Sequence, residues 1–220
     1  MKFYINNLAE LFSLGIAIIY YPYLKGSVMK WFLPFLVFIT GSELYAQNIG
    51  YVLGNSDTPN TKIYGFVTIV ESVFYGYFFY TMTVKEIWKK IILIISLINS
   101  FISIIFFFFI AENPSYLITN LLFLSICFSF ISLTYIYSKF ISDEAAYLLC
   151  EPGFWVAFGV TLFFSGVSVV FSLHDFILKH NLTLFGVKLY HIVPQILSLP
   201  LYLSISTAII LCKKKNRISL

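Results

Sequence analysis

Residues 91–110 read IILIISLINSFISIIFFFFI, a stretch of 20 residues that contains no charged side chain. A helix needs about 20 mostly apolar residues to cross the hydrocarbon core of a bilayer. Apolar runs in the buried helices of soluble proteins are usually shorter, about 10–14 residues. The stretch therefore predicts a transmembrane helix.

The rest of the chain has the same character. Of its 220 residues, 60% are hydrophobic and 11% are charged, whereas soluble domains carry about 25% charged residues. Similar runs recur along the chain and give seven predicted spans: 5–24, 29–53, 63–83, 91–110, 116–140, 154–176 and 189–212. Glu10 interrupts the first run and no small-residue cleavage site follows it, so we interpret this run as a retained helix. We predict an all-α, polytopic membrane protein with seven transmembrane helices in one bundle, a single domain over residues 1–220.

The distribution of basic residues predicts the orientation of this bundle. Ten of the 14 lysine and arginine residues fall on one side of the predicted spans and four on the other. Because short cytoplasmic loops are enriched in basic residues, we expect the N-terminus outside and the C-terminus in the cytoplasm. The basic residues that give the net charge of +4 lie at the ends of the predicted helices. We therefore expect the lipid bilayer as a partner and no nucleic acid.

Two segments between the predicted spans have structure of their own. Ser142 to Leu149 predicts a short interfacial helix, with Ser142 as its N-cap and two acidic residues in the first turn. Residues 182–190 alternate weakly around a glycine and predict a small hairpin on the outer side.

Polar residues recur at helical spacing inside five of the predicted spans. The stripes are Asn6, Glu10, Ser13, Ala17; Thr40, Glu43, Gln47, Tyr51; Tyr64, Thr68, Glu71, Tyr75; Thr161, Ser165, Ser168, Ser172, Asp175; and His191, Gln195, Ser198, Tyr202. Ionisable residues within a membrane usually face the bundle interior or a wet cavity. We therefore expect the five stripes to converge on the bundle axis, with Tyr64 and Tyr75 as hydrogen-bond partners of Glu71.

The polar groups lie mainly in the outer half of the predicted bundle, which favours a cavity open to the outer side. The candidate ligand-binding residues are Glu10, Glu43, Gln47, Tyr64, Glu71, Tyr75, His174, His191 and Gln195. The alternative is that the stripes only join helices, since interhelical hydrogen bonds in membranes contribute about 0.6 kcal/mol each. The sequence leaves both interpretations open.

Several chemistries lack the residues that they need. A retinal protein needs a lysine in the middle of its last helix, but the first lysine there is Lys213 at the edge, so we expect no cofactor. The three histidines, His174, His180 and His191, form no HExxH motif, so we expect no metal site. No GxSxG or CxxC motif occurs either. The sequence leaves enzymatic activity open but favours a protein without it.

Residues 63–75, the run Glu151-Pro-Gly-Phe-Trp and residues 163–166 resemble segments of small, uncharacterised seven-helix bacterial integral membrane proteins. That group has a glutamate in its third helix, and an Asn-Pro-x-Phe-Trp pattern opens its sixth. Here Glu151 stands in place of the asparagine, which removes the asparagine side chain as a cap. The resemblance implies a seven-helix module of the bacterial inner membrane, in some cases linked with histidine-kinase signalling.

These observations lead to three functional hypotheses. The first is a sensor or receptor-like protein that takes a small ligand or a proton from the outer side. It would signal to a cytoplasmic or membrane partner, and homo-oligomerisation is a further candidate interaction. The second is a proton-coupled transporter of a small solute, and the third is a structural subunit of a membrane complex.

Overall fold

The computed structural model describes residues 5–52, 61–110, 114–141 and 148–218, and these residues are almost entirely helical. The helices are α1 (Ile5–Leu24), α2 (Phe32–Val52), α3 (Thr61–Met82), α4 (Glu86–Ile105), α5 (Pro114–Phe140), α6 (Pro152–Ser172), α7 (His174–Lys179) and α8 (Leu189–Ile218). A 3-10 turn, Val28–Trp31, leads into α2, and α4 continues into a π-helical segment, Phe106–Ile110.

Five of these helices are long and apolar enough to cross a membrane. The five segments are Lys62–Met82, Glu86–Phe108, Ile118–Phe140, Pro152–Ser172 and Leu189–Lys213. The other two long helices, α1 and α2, have 20 and 21 residues and carry Glu10 and Glu43. The fold fits an all-α, multi-pass membrane protein, in agreement with the coarse prediction from sequence.

Six helices form a closed ring. Around it, α1 packs on α2, α2 on α3, α3 on α5, α5 on α6, α6 on α8, and α8 on α1. Helix α4 lies outside the ring against α3 and α5. Its buried side chains are Ile92, Ser96, Asn99 and Ser103, while residues such as Leu97 and Phe101 are exposed. The exposed surface of the ring is likewise apolar, as a lipid-facing surface must be.

Aromatic side chains fill the centre of the bundle that the six helices enclose. Tyr75 of α3 is almost fully buried and packs edge-on against Phe35 of α2, Phe128 of α5 and Phe164 of α6. Phe35 also stacks on Phe74, with 3.8 Å between ring centroids. Helices α2 and α3 are therefore joined by stacked aromatic rings.

Other helix pairs approach more closely because they meet at small residues. Gly76 of α3 faces Ser96 of α4, where an added Cβ would lie 2.6 Å from the serine Cβ and Oγ. Gly159 of α6 faces Ser204 of α8, where an added Cβ would lie 2.8 Å from the serine Cβ. Small residues at such positions let the backbones of membrane helices pack tightly.

Several helix limits differ from the sequence prediction, and α8 extends to Ile218 rather than ending at residue 212. Helix α4 begins at Glu86 rather than at residue 91, because Glu86 is favourable in a first turn and pairs with Lys89 at 3.1 Å. A search for apolar runs leaves out a helical turn that contains these charged residues. The predicted span to residue 176 is also wrong, since α6 ends at Ser172 and Leu173 breaks the helix before α7.

The strand pairing of the predicted hairpin is confirmed. Strands β1 (Thr183–Leu184) and β2 (Val187–Lys188) pair antiparallel. Phe185 and Gly186 between them have φ of 53° and 77°, the left-handed pair that two-residue hairpin turns require. The interfacial helix predicted over 142–149 falls mostly on residues 142–147, which lie outside the described residues.

Candidate functional site

Three glutamates from three helices approach one another inside the bundle, and we call them the carboxyl cluster: Glu10 of α1, Glu43 of α2 and Glu71 of α3. Glu10 is 2% exposed, and the other two are partly buried. Glu43 is close enough to both Glu10 and Glu71 for their carboxylates to repel one another. The convergence predicted for the first three stripes is therefore present at these glutamates.

Glu43 accepts two hydrogen bonds on one oxygen. The Tyr64 hydroxyl donates to its Oε2 at 3.3 Å, and the Gln47 amide donates to the same atom at 3.2 Å. The expectation that Tyr64 would bind Glu71 is wrong. The two residues are seven positions apart on α3, a rise of about 10 Å, so Tyr64 reaches across to α2 instead.

Glu10 interacts with a side chain of its own helix, α1, and lies next to a side chain of α8. The Asn6 amide donates to Glu10 Oε1 at 3.2 Å. The Tyr202 hydroxyl lies next to the same carboxyl, but no described residue makes a well-aligned hydrogen bond to Glu10 Oε2. Tyr202 and Asn6 belong to the predicted stripes but were not among the candidate ligand-binding residues. Their helical spacing was the signal that could have identified them.

Glu71 has a different environment from the other two glutamates. Its neighbour Tyr75, one turn further along α3, lies close enough to interact electrostatically with it. Within the described residues no side chain donates a hydrogen bond to Glu71, so the predicted bond from Tyr75 is not formed. The Tyr75 ring instead packs among the central aromatic residues.

Several buried oxygens on the same stripes have no hydrogen-bond partner among the described residues. They are Asn6 Oδ1, Glu10 Oε2, Ser13 Oγ, Thr40 Oγ1 and Gln47 Oε1. Buried polar groups are normally satisfied by protein, water or ligand. The surroundings of the carboxyl cluster therefore contain buried hydroxyl, amide and carboxyl oxygens that a ligand or water can satisfy.

The two predicted histidines lie elsewhere. His174 and His191 flank Tyr190, with 5.0 Å and 4.2 Å between ring centroids, and His174 Nδ1 lies 3.3 Å from Asp175 Oδ1. Gln195 lies one turn beyond His191 and is partly buried. No described contact joins either histidine or Gln195 to the carboxyl cluster. The structure thus brings six of the candidate residues together: Glu10, Glu43, Gln47, Tyr64, Glu71 and Tyr75.

The sixth-helix stripe does not join the cluster. The Thr161 hydroxyl contacts the Ser132 hydroxyl of α5 at 2.8 Å, and Ser168 donates to the Ser165 carbonyl on its own helix. Ser172 is exposed at the end of α6. These hydroxyls join α6 to α5 or bond to their own helix, as expected from the alternative in which the stripes serve only in helix packing.

A second polar group lies between α3, α4 and α5, and the sequence interpretation missed it. Asn99 Nδ2 donates to Ser72 Oγ at 3.1 Å, and Asn120 Nδ2 donates to Thr68 Oγ1 at 3.4 Å. All four side chains are almost fully buried. A lone asparagine within an apolar run, as at Asn120, was the available signal, because an unpaired amide is costly in hydrocarbon.

The described residues contain no group of three or more His, Cys, Asp or Glu side chains placed to hold a metal ion. The fold and the site define an all-α membrane protein with interior carboxyl groups contributed by different helices. Comparison of the chain with known protein families, characterised proteins and solved structures finds no match.

Proposed function

We propose that the chain is a seven-helix membrane sensor that binds a small ligand or a proton at the carboxyl cluster and signals to a partner. The observation that carries this proposal is that Glu43 lies near both Glu10 and Glu71, with no basic side chain of the described residues paired to any of the three. The described ion pairs, Lys89–Glu86, Lys139–Glu151 and His174–Asp175, all lie away from the cluster. A site of this kind takes up a proton or a cation.

The energetics support a functional role for these glutamates. An ionised carboxylate in the middle of a membrane costs about 2.5–3.5 kcal/mol, and neighbouring carboxylates repel one another. A bound proton or cation relieves that repulsion and draws α1, α2 and α3 together. Because occupancy then favours one arrangement of the three helices, binding shifts their conformational equilibrium. A partner that contacts these helices can respond to the shift.

We also propose that α1 and α2 span the membrane, which gives seven spans. Their 20 and 21 residues match the required length. Both pack into the ring of helices, and exposed apolar residues such as Phe12, Ile19 and Val37 cover their outer faces. Their polar residues include the buried Glu10 and the half-buried Glu43.

We propose that the end of the bundle opposite the hairpin is cytoplasmic, in a bacterial inner membrane. Lys213 lies over the rings of Tyr20 and Tyr23, 4.8 Å and 5.4 Å from their centroids, and Trp88 packs on Tyr137. Aromatic and basic side chains together are typical of a cytoplasmic membrane interface. The carboxyl cluster then lies toward the outer side.

Labelling of cysteines with a membrane-impermeant maleimide tests the orientation. Cys150 is exposed at the proposed cytoplasmic end, and Cys127 and Cys212 are buried. We expect no labelling of Cys150 in intact cells and labelling after lysis. Thr183→Cys in the hairpin, combined with Cys150→Ser, should label without lysis. The reverse pattern contradicts the proposed orientation.

The functional test compares Glu43→Gln and Glu71→Gln with wild type in detergent, following melting temperature from pH 4.5 to 8.5. The matched control is Glu86→Gln, an exposed glutamate at the start of α4. We expect a pH-dependent change in wild type and in the control that is absent from the two cluster variants, all of which fold. If the cluster variants melt lower and keep the pH dependence of wild type, the glutamates serve only in packing.

A proton-coupled transporter is the second candidate, because α8 carries a polar row from its exposed end to Glu10. The row consists of His191, Gln195, Ser198 and Tyr202. Proton-driven solute flux into liposomes that is lost in Glu10→Gln favours the transporter. Absence of flux, together with a pH-dependent cross-link to a partner in native membranes, favours the sensor. Purification with a partner at fixed stoichiometry, independent of pH, favours a structural subunit.

A further inference from the structure

We infer that the carboxyl cluster binds an organic cation with an ammonium group. This inference rests on the proposed site and names the class of ligand that it takes. It is carried by the charge of the site, its buried oxygens without described partners and the aromatic rings beside it.

Charge and hydrogen-bonding capacity both favour an ammonium group. Ser13 Oγ and Asn6 Oδ1 are buried on one face of α1 without a partner among the described residues, and the Glu10 carboxyl on the same face lies next to the Tyr202 hydroxyl. The Asn6 amide bonds to the Glu10 carboxyl, so its free oxygen lies beside that carboxyl. An ammonium group supplies a positive charge and three N–H donors and accepts nothing. An anion would be repelled by the carboxylates.

The geometry is less suitable for a metal ion. No three acidic side chains within the described residues are close enough to hold one metal ion. Amide N–H groups of Asn6 and Gln47 already occupy one oxygen of Glu10 and one of Glu43. A divalent cation such as Ca²⁺ requires six to eight oxygen ligands around one point. The oxygens without described partners are spread over α1 and α2, an arrangement that suits several N–H donors better than a single metal ion.

Aromatic rings lie beside the glutamates and can contact the organic part of such a cation. Tyr75 and Tyr202 lie near each other and near the glutamates, and Phe35 and Phe164 pack around Tyr75. Ammonium groups bind to the faces of such rings, and alkyl carbons pack against the same rings. We therefore expect an amine with a short apolar body to bind better than an inorganic cation.

The test uses the full chain in detergent at constant pH and ionic strength and follows melting temperature. The probes are n-butylammonium chloride, tetramethylammonium chloride, sodium butyrate, and the chlorides of sodium, potassium and magnesium. We expect a concentration-dependent rise of at least about 2 °C with n-butylammonium. The rise should be smaller with tetramethylammonium, which lacks N–H donors, and absent with butyrate, which has a similar size and the opposite charge.

Three variants assign the effect to the cluster. Glu10→Gln should weaken n-butylammonium binding at least tenfold, whereas Glu86→Gln should leave it unchanged. Ser13→Ala removes a buried hydroxyl that has no described partner, so it should raise the melting temperature of the ligand-free protein. The same variant should weaken amine binding about threefold. This opposite pair of effects separates a ligand contact from a folding defect.

Other outcomes overturn the inference in distinguishable ways. Equal responses to sodium, potassium and n-butylammonium indicate a general salt effect, and a preference for magnesium indicates a metal site. If no amine binds but the pH-dependent change persists and needs Glu43 and Glu71, the site is a proton site. The inference then fails and the proposed function stands. Loss of both responses overturns both proposals.

Discussion

Replacing Gly76 with alanine tests the packing that positions α3, the helix that carries Glu71. An added Cβ would lie 2.6 Å from both Cβ and Oγ of Ser96 on α4. Carbon atoms in contact prefer about 3.5–4.0 Å, so the two helices must separate by about 1 Å. Overpacking of this kind costs about 1–3 kcal/mol, while alanine gains at most about 1 kcal/mol in helix propensity.

We therefore expect Gly76→Ala to lower stability by about 1–2 kcal/mol. For a chain of this size, that corresponds to a fall in melting temperature of roughly 2–8 °C. The assay is fluorescence-detected unfolding in detergent micelles. Gly41→Ala is the matched control, because Gly41 lies within α2 with nothing within 4 Å of an added Cβ. Its melting temperature should stay the same or rise.

A compensating change identifies the cause. Ser96→Gly removes both atoms that the new Cβ would meet, so the double variant should recover most of the lost stability. Ser96→Ala retains the Cβ and should not rescue. Contacting residues commonly show a coupling of about 0.5–3 kcal/mol in such cycles. If Gly76→Ala melts like Gly41→Ala, or if Ser96→Gly brings no recovery, the close contact between α3 and α4 is refuted.

Two further predictions concern side-chain pairs. Tyr64→Phe removes the hydroxyl that donates to Glu43 at 3.3 Å and should lower stability by about 0.6–1.7 kcal/mol. In thermal unfolding, the exposed Tyr77→Phe should be neutral, and equal effects of the two changes would contradict the assigned bond. Lys139→Met leaves Glu151 without its partner at 3.3 Å in a mostly buried pair and should cost about 3 kcal/mol. Adding Glu151→Gln should restore much of the loss in chemical denaturation, and an additive result would show that the pair is not coupled.

Some departures from the sequence predictions follow from charges at the ends of helices. Glu86 and Lys89 extend α4 by one charged turn that an apolar-run criterion excludes. At the end of α6, Leu173 breaks the helix before Asp175, which lies in the first turn of α7. At α4, hydropathy sets the part of the helix within the bilayer, whereas the charged first turn sets where the helix begins.

Partner choice within the candidate site depended on distances between helices. Sequence spacing puts Tyr64 and Glu71 on one stripe, but the hydroxyl donates to Glu43 because α2 is nearer than the next two turns of α3. Asn99 and Asn120 pair with hydroxyls of α3 from two other helices. No periodicity within a single helix contains that information, since it reports only which residues share a face.

The sequence by itself determined the class of fold and the location of the interior carboxyl groups. Long apolar runs leave few alternatives in a membrane, because backbone groups in lipid must be satisfied within the segment. The tertiary structure decided which polar stripes meet. It joined Glu10, Glu43 and Glu71, placed His174 and His191 with Tyr190, and left Ser172 exposed. The physical reason is that a stripe records the direction of a face, whereas a site requires neighbouring helices to be packed at a particular rotation and depth.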